Sequence, residues 1–122
     1  MQTRQRQFAD TTVVAPSGRI DHLSAAAFET TLSPLLQSAE ALVIDLGEVE
    51  YISSVGLRVL MIAARTMRER QRKLAVCGLS TVVAEIFAIS RFDRILVVCP
   101  GLPEALEHCS AAARAAWQDT AA

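Results

Sequence analysis

ALVIDLGEVEYISSVGLRVL, residues 41–60, is the stretch from which the remainder of the chain can be read. Ala41, Leu42, Val43 and Ile44 run without a polar break up to Asp45, the pattern of a central strand covered on both faces within a mostly parallel sheet. Gly47 and the acidic Glu48-Val49-Glu50 read as a short connection, and Tyr51-Ile52 leads to two serines. Gly56 then opens an apolar pattern of Leu57, Leu60, Met61 and Ala64 at helical spacing. Ser53 and Ser54 therefore stand where a helix begins.

The first N–H groups of a helix lack intrahelical partners and carry the positive end of its dipole. A serine there can serve as an N-cap, for which it is among the preferred residues. An exposed hydroxyl at the same place can instead carry a phosphate, whose charge the helix end tolerates. The local sequence leaves both roles open.

Upstream, a polar arm leads to a strand around residues 5–9, a turn at Asp10-Thr11 and a second strand over residues 12–15, together a β-hairpin. Pro16 removes a ladder hydrogen bond, so this strand is expected to lie near an edge or to end there, with Pro16-Ser17-Gly18 as the bend. Ser24 is placed to cap a helix carrying Ala27, Phe28, Thr31, Leu32, Leu35 and Leu36 in phase, kinked or shortened at Pro34.

Downstream, the second helix runs from residue 54 to about 70. Its outer side is basic, with Arg58, Arg65, Arg68, Arg70, Arg72 and Lys73 opposed only by Glu69; such a run is a solvated face, a docking patch for an acidic partner, or both. Lys73–Cys77 reads as a third apolar strand. Ser80 starts a helix that turns Val83, Ile86 and Phe87 inward and ends at Ser90-Arg91-Phe92. Residues 95–99 form the last strand, and Pro103 sits where a terminal helix starts. The expected fold is α/β: a mixed, mostly parallel sheet with an N-terminal β-hairpin and four helices, in the order ββαβαβαβα, as one domain over residues 1–122 with residues 1–4 and 118–122 flexible.

Composition limits function further. With 122 residues the chain suits one core, and at 52% hydrophobic but 5% aromatic that core is aliphatic. A net charge of -1 lacks the basic surplus of a phosphate-contacting nucleic-acid binder, and no apolar run reaches the roughly 18 residues of a membrane span. The start MQTRQRQFAD has no apolar signal region, so a cytoplasmic protein is expected. Three cysteines, Cys77, Cys99 and Cys109, without a CxxC pair suggest neither a disulfide framework nor a zinc site; Cys77 and Cys99 read as small core residues. His22 and His108 have no metal-ligand spacing, no glycine-rich phosphate loop is present, and Ser54 has only half of a nucleophile elbow, with Ile52 where a glycine is required. These features point to a binding protein that needs no cofactor and no metal, and not to an enzyme.

Gly18-Arg19-Ile20-Asp21 before the first helix, Val43-Ile44-Asp45-Leu46, the segment from Tyr51 to Leu60, and Ile86-Phe87 with Ser90 together resemble the STAS domain, in particular the bacterial anti-sigma factor antagonists. The resemblance spans roughly residues 7–109. It implies partner switching: the unphosphorylated domain binds an anti-sigma factor that is itself a GHKL-type serine kinase, the kinase phosphorylates a serine at the start of the second helix and the complex breaks, and a PP2C-type phosphatase resets it. Matched on Gly56-Leu57, the acceptor falls on Ser54, with Ser53 as second choice in a place often held by aspartate. The implied interface comprises Asp21, Ser53, Ser54, Val55, Arg58 and Arg65, on a domain that is monomeric when free. An alternative keeps the fold without phosphorylation, as a constitutive docking module in a transporter or sensory assembly; a nucleotide or lipid site has no residue signature.

Overall fold

A computed structural model describes residues 1–121. Among them run β1 (Gln2–Phe8), β2 (Thr11–Ile20), α1 (Ala25–Ser38), β3 (Ala41–Asp45), β4 (Glu48–Ile52), α2 (Ser54–Glu69), β5 (Lys73–Cys77), α3 (Thr81–Ser90), a single 3-10 turn (Phe92–Arg94), β6 (Val98–Cys99), α4 (Leu102–Cys109) and α5 (Ala111–Ala121). The sheet order is β1-β2-β3-β5-β6, with β4 also on β2. Among the described residues only the β1/β2 hairpin is antiparallel.

The apolar run of β3 has the expected cause. Leu42 and Ile44 face a core built with Phe28 and Leu32 of α1, Leu60 and Met67 of α2, and Val83 and Phe87 of α3. Val43 points the other way, into a smaller core with Ala105 and Leu106 of α4 and Ala113 of α5. The strand alternates every residue, yet both sides are dry because helices cover both faces. Strand β5 repeats the division, with Leu74 and Val76 on one side and Ala75 and Cys77 on the other.

Several expectations are corrected. Glu48-Val49-Glu50 is not a connection but the first part of β4, which buries Val49 and Ile52 and skips Glu50 in its pairing with β2, where the register shifts. Strand β2 does not bend at Pro16: it continues to Ile20, pairing Thr11–Val14 with β3 and Ser17–Ile20 with β4. Ala15 and Pro16 fall between these two parallel partners, so on that side the missing proline N–H interrupts no ladder. Helix α1 passes through Pro34 to Ser38, its end closed by the Ala39 N–H donating to the Leu35 carbonyl at 2.8 Å.

The buried face of α2 is Gly56, Leu57, Val59, Leu60, Ala63 and Met67, whereas Met61 and Ala64 are only half-buried. The last strand shrinks to Val98–Cys99, because Phe92–Arg94 forms the 3-10 turn and Leu96 is drawn into the core. The terminal helix is two helices, so the described residues hold five α-helices and not four. Ser110 adopts extended backbone (φ -168, ψ 133) and its hydroxyl accepts from the Ala113 N–H at 3.1 Å, restarting the chain as α5, which packs on β1. Of the ends expected to be flexible, residues 2–4 pair with Ser17, Pro16 and Ala15, α5 extends to Ala121, and Ala122 lies outside the described residues.

Arg70 leaves the solvated basic face as well. Its guanidinium donates to the carbonyls of Leu36 (2.6 Å) and Ala39 (3.0 Å), clamping the end of α2 to the end of α1.

Candidate functional site

Strands β2 and β4 run parallel and finish side by side, Ile20 opposite Ile52. Gly18, at φ +94, takes a conformation that L side chains rarely adopt, and the register shifts between Gly18 and Arg19, which brings the two ends level. The Ser53 N–H then donates to the Ile20 carbonyl at 2.8 Å. Two loops, the one before α1 and the one before α2, are thereby joined outside the carboxyl ends of parallel strands, the place where open α/β sheets build their sites.

The first loop is organised by Asp21. Its carboxylate accepts from the Leu23 N–H (3.0 Å) and the Ser24 N–H (3.3 Å). Those bonds, the one from Leu23 foremost, hold the Asp21 carboxyl below its ordinary range. Ser24 occupies the N-cap position but does not cap α1 with its side chain; its hydroxyl donates to the Arg19 carbonyl (2.6 Å) and accepts from the Asp21 N–H (3.0 Å), closing the loop on itself. Arg19 lies 4.5 Å above the Tyr51 ring centre and 4.0 Å from the Asp21 carboxylate.

The second loop separates the two serines. Ser53, in extended backbone, is the N-cap of α2, its hydroxyl accepting from the Gly56 N–H at 3.3 Å. Ser54 is the first helical residue; it is exposed, and among the described residues its hydroxyl enters no hydrogen bond. Gly56 lets the first turn sit directly on the strand ends: a Cβ there would lie 2.7 Å from both Ile20 Cγ2 and Ile52 Cγ1.

Around Ser54 the surface is apolar and basic. Val55 is 45% exposed, and Leu23, across the joined loops, is 81% exposed. Val55 and Arg58 line a groove of about 370 Å³ between α1 and α2 whose other wall carries His22, Ala26 and Glu29. Of the residues singled out beforehand, Asp21, Ser53, Ser54, Val55 and Arg58 cluster at this end. Arg65 lies three turns further along the same exposed stripe of α2, about 16 Å away. Leu23 was not read as part of the site, and Arg19 and Tyr51 were quoted without a site role; for Leu23 an apolar residue within the otherwise polar Asp21-His22-Leu23-Ser24 turn is the signal that could have found it.

No metal-binding group of three His, Cys, Asp or Glu side chains occurs among the described residues, and no helix among them is long and apolar enough to cross a membrane. Burial pushes the thiol of Cys77 up to about 12 and that of Cys109 up to about 11, and it raises Cys99 as well.

Comparison with known proteins places the fold in a family. The family model described as "Mlab, STAS domain" matches residues 3–98. BtrV of Bordetella bronchiseptica, named as an anti-sigma factor antagonist, is 38% identical over 82 residues, which is 66% of this chain and 71% of that protein. The anti-sigma-B factor antagonist of Listeria monocytogenes is 34% identical over 84 residues, 67% of this chain and 73% of that one. The crystal structure of an anti-sigma factor antagonist from Mycobacterium paratuberculosis superposes with a TM-score of 0.79 at 29% identity, covering 88% of this chain and 92% of the other. The chain belongs to the STAS-domain family of anti-sigma factor antagonists.

Proposed function

We propose that this antagonist works by partner switching in the cytoplasm, as a regulator that binds and does not turn over a substrate. The unphosphorylated chain docks a GHKL-type serine-kinase anti-sigma factor through Asp21, Ser53, Ser54, Val55 and Arg58, with Arg65 at the far edge, and so frees a sigma factor. The kinase then phosphorylates Ser54, and a PP2C-type phosphatase restores the binding form.

One observation supports Ser54 over Ser53 as the acceptor: the Ser53 hydroxyl is engaged as the helix cap, while that of Ser54 is exposed and unbonded. A phosphate adds about -1.5 to -2 charges at a helix end that favours anions, so the modified domain stays folded. Its effect falls on the interface. Every 1.4 kcal/mol or so lost there is about tenfold in affinity, and a bulky dianion against a fitted surface costs several such steps.

The test begins with a candidate kinase and ATP: intact mass should rise by one phosphate, localised to Ser54. Ser54→Ala should stay unlabelled and bind, and Ser54→Asp should bind at least tenfold more weakly. Wild-type affinity in both variants would overturn the reading, and an unlabelled chain held in a stable complex with a different protein would favour constitutive docking in a transporter or sensory assembly.

A further inference from the structure

The basic run from Arg58 to Lys73 is not one surface. Arg70 is consumed by the carbonyls of α1, and Arg58 belongs to the Ser54 end of α2. Arg68, Arg72 and Lys73 gather instead at the opposite end, around a cleft of about 200 Å³ at the edge of the sheet, between the close of α2 and the segment leading into β6. Arg68 is fourteen residues past Ser54, about 21 Å along the helix, so the two ends are separate surfaces.

Three properties of this cleft coincide. Its rim is cationic and unneutralised: the ion pairs among the described residues are Arg19 with Asp21 and Arg114 with Glu107, and Lys73 donates only to the main-chain carbonyl of His108, at 3.2 Å. Its floor, by contrast, is the aliphatic Leu74 and Leu96, which are nearly or fully buried. Its outer wall exposes Ile95 at 45% and Val97 at 42%, in a chain whose other large aliphatic side chains are mostly interior. Unpaired cations alone make a solvated face. Cations around an apolar slot, in a protein of net charge -1, make a surface complementary to a ligand that is both acidic and aliphatic.

We propose that this cleft is a second docking surface, which takes an acidic segment of a partner protein whose aliphatic side chain enters between Leu74, Leu96 and Val97 while its flanking carboxylates meet Arg68, Arg72 and Lys73. The volume holds one or two aliphatic side chains, which suits a short linear segment and not a folded domain. Placed at the far end of α2, such a surface lets the chain be held by one protein while its Ser54 end is free to exchange another.

The probe is a fluorescein-labelled peptide, Glu-Glu-Leu-Glu-Glu-Leu-Glu-Glu, followed by anisotropy against the full chain, with amide shifts mapped by NMR. Binding should shift Leu74, Leu96 and Val97, and weaken with salt. It should fall at least tenfold when glutamines replace the glutamates or alanines replace the leucines. The exposed exchanges Arg68→Ser and Arg72→Ser should together lower affinity about three- to tenfold with an unchanged melting curve, and Val97→Asp should abolish binding. Ser54→Asp should leave it intact, so failure here is distinguishable from failure of the phosphorylation switch. Shifts absent from the cleft, equal binding of the glutamine peptide, or tighter binding of phosphatidylglycerol vesicles or oligo-dT than of the peptide would overturn the proposal.

Discussion

Replacing Gly56 with alanine sets two physical effects of opposite sign against each other. Alanine is the better helix former by at most about 1 kcal/mol, so propensity alone predicts a more stable protein. The added Cβ, however, would stand 2.7 Å from Ile20 Cγ2 and from Ile52 Cγ1, and 3.1 Å from the Ile20 carbonyl oxygen. None of these is the free end of a flexible side chain, and both isoleucines are fully buried at the ends of β2 and β4. Overpacking costs about 1–3 kcal/mol, and two contacts at 2.7 Å with buried atoms put this site in the upper half of that range, so after the propensity gain the net change is a loss of about 1–2 kcal/mol. For a domain of this length that is a fall in Tm of about 3–10 °C, measured by thermal unfolding followed with far-UV circular dichroism. Ile52→Ala removes the clashing Cγ1; it is costly alone, about 2–5 kcal/mol, but combined with Gly56→Ala the total should fall short of the sum by at least about 0.5 kcal/mol. A Gly56→Ala chain as stable as the wild type would refute the claim that α2 is seated on the strand ends by this close approach.

The two serines should separate in stability as they do in geometry. Ser53→Ala loses the cap to the Gly56 N–H and should cost about 1 kcal/mol in denaturant unfolding, while Ser54→Ala should stay within about 0.5 kcal/mol; the reverse order would assign the cap wrongly. Arg70→Met removes two charge-assisted bonds to carbonyls and should cost about 1.5–3 kcal/mol, whereas the exposed Arg65→Met should be near neutral by the same assay. The thiols should react slowly with Ellman's reagent until the chain unfolds, with half-buried Cys99 first and Cys77 last. Because folding raises the thiol pKa values of Cys77 and Cys109 from 9.0 to about 12 and about 11, their contribution is full below pH 9 and is lost as pH climbs above it, where the unfolded chain ionises first; the urea midpoint should therefore drop from pH 9 towards pH 11.

What could be read from the residues follows from how many forces agree at each place. Strands β3 and β5 and the start of α2 were legible because burial on both faces leaves an unbroken apolar run, and because two serines and a glycine mark a helix start. Glu48-Val49-Glu50-Tyr51-Ile52 carried a strand's alternation, but two carboxylates after Gly47 also describe a turn; pairing with the second half of β2 decided the matter. Pro16 looked like a strand end because a proline's cost depends on whether a ladder bond is due at that residue, which only the changeover of partners reveals. The alanines of residues 111–116 continue a helical pattern without interruption, and only the backbone turn at Ser110 divides it. At the candidate site, sequence placed both serines at the helix start but left their roles open; one hydrogen-bond length, from Gly56 N–H to Ser53 Oγ, divides them.

The anchoring of α2 limits how a signal at Ser54 could spread. At its start the Ser53 N–H is held by Ile20, and Gly56 is wedged between Ile20 and Ile52. In the middle Leu60 and Ala63 are fully buried, and at its end Arg70 is bound to two carbonyls of α1. These contacts hold the helix at its start, middle and end in one packing, and transmission by displacement requires an element with two discrete arrangements. A charge added at Ser54 therefore acts where it stands, on whatever touches the first turn. The phosphorylated chain should accordingly give backbone amide shifts confined to the Asp21–Ser24 turn and the first two turns of α2, while β5 and the basic cleft beside it stay unmoved. Shifts reaching Leu74 or Arg72 would require a conformational relay through α2, and the local account of the switch would fail.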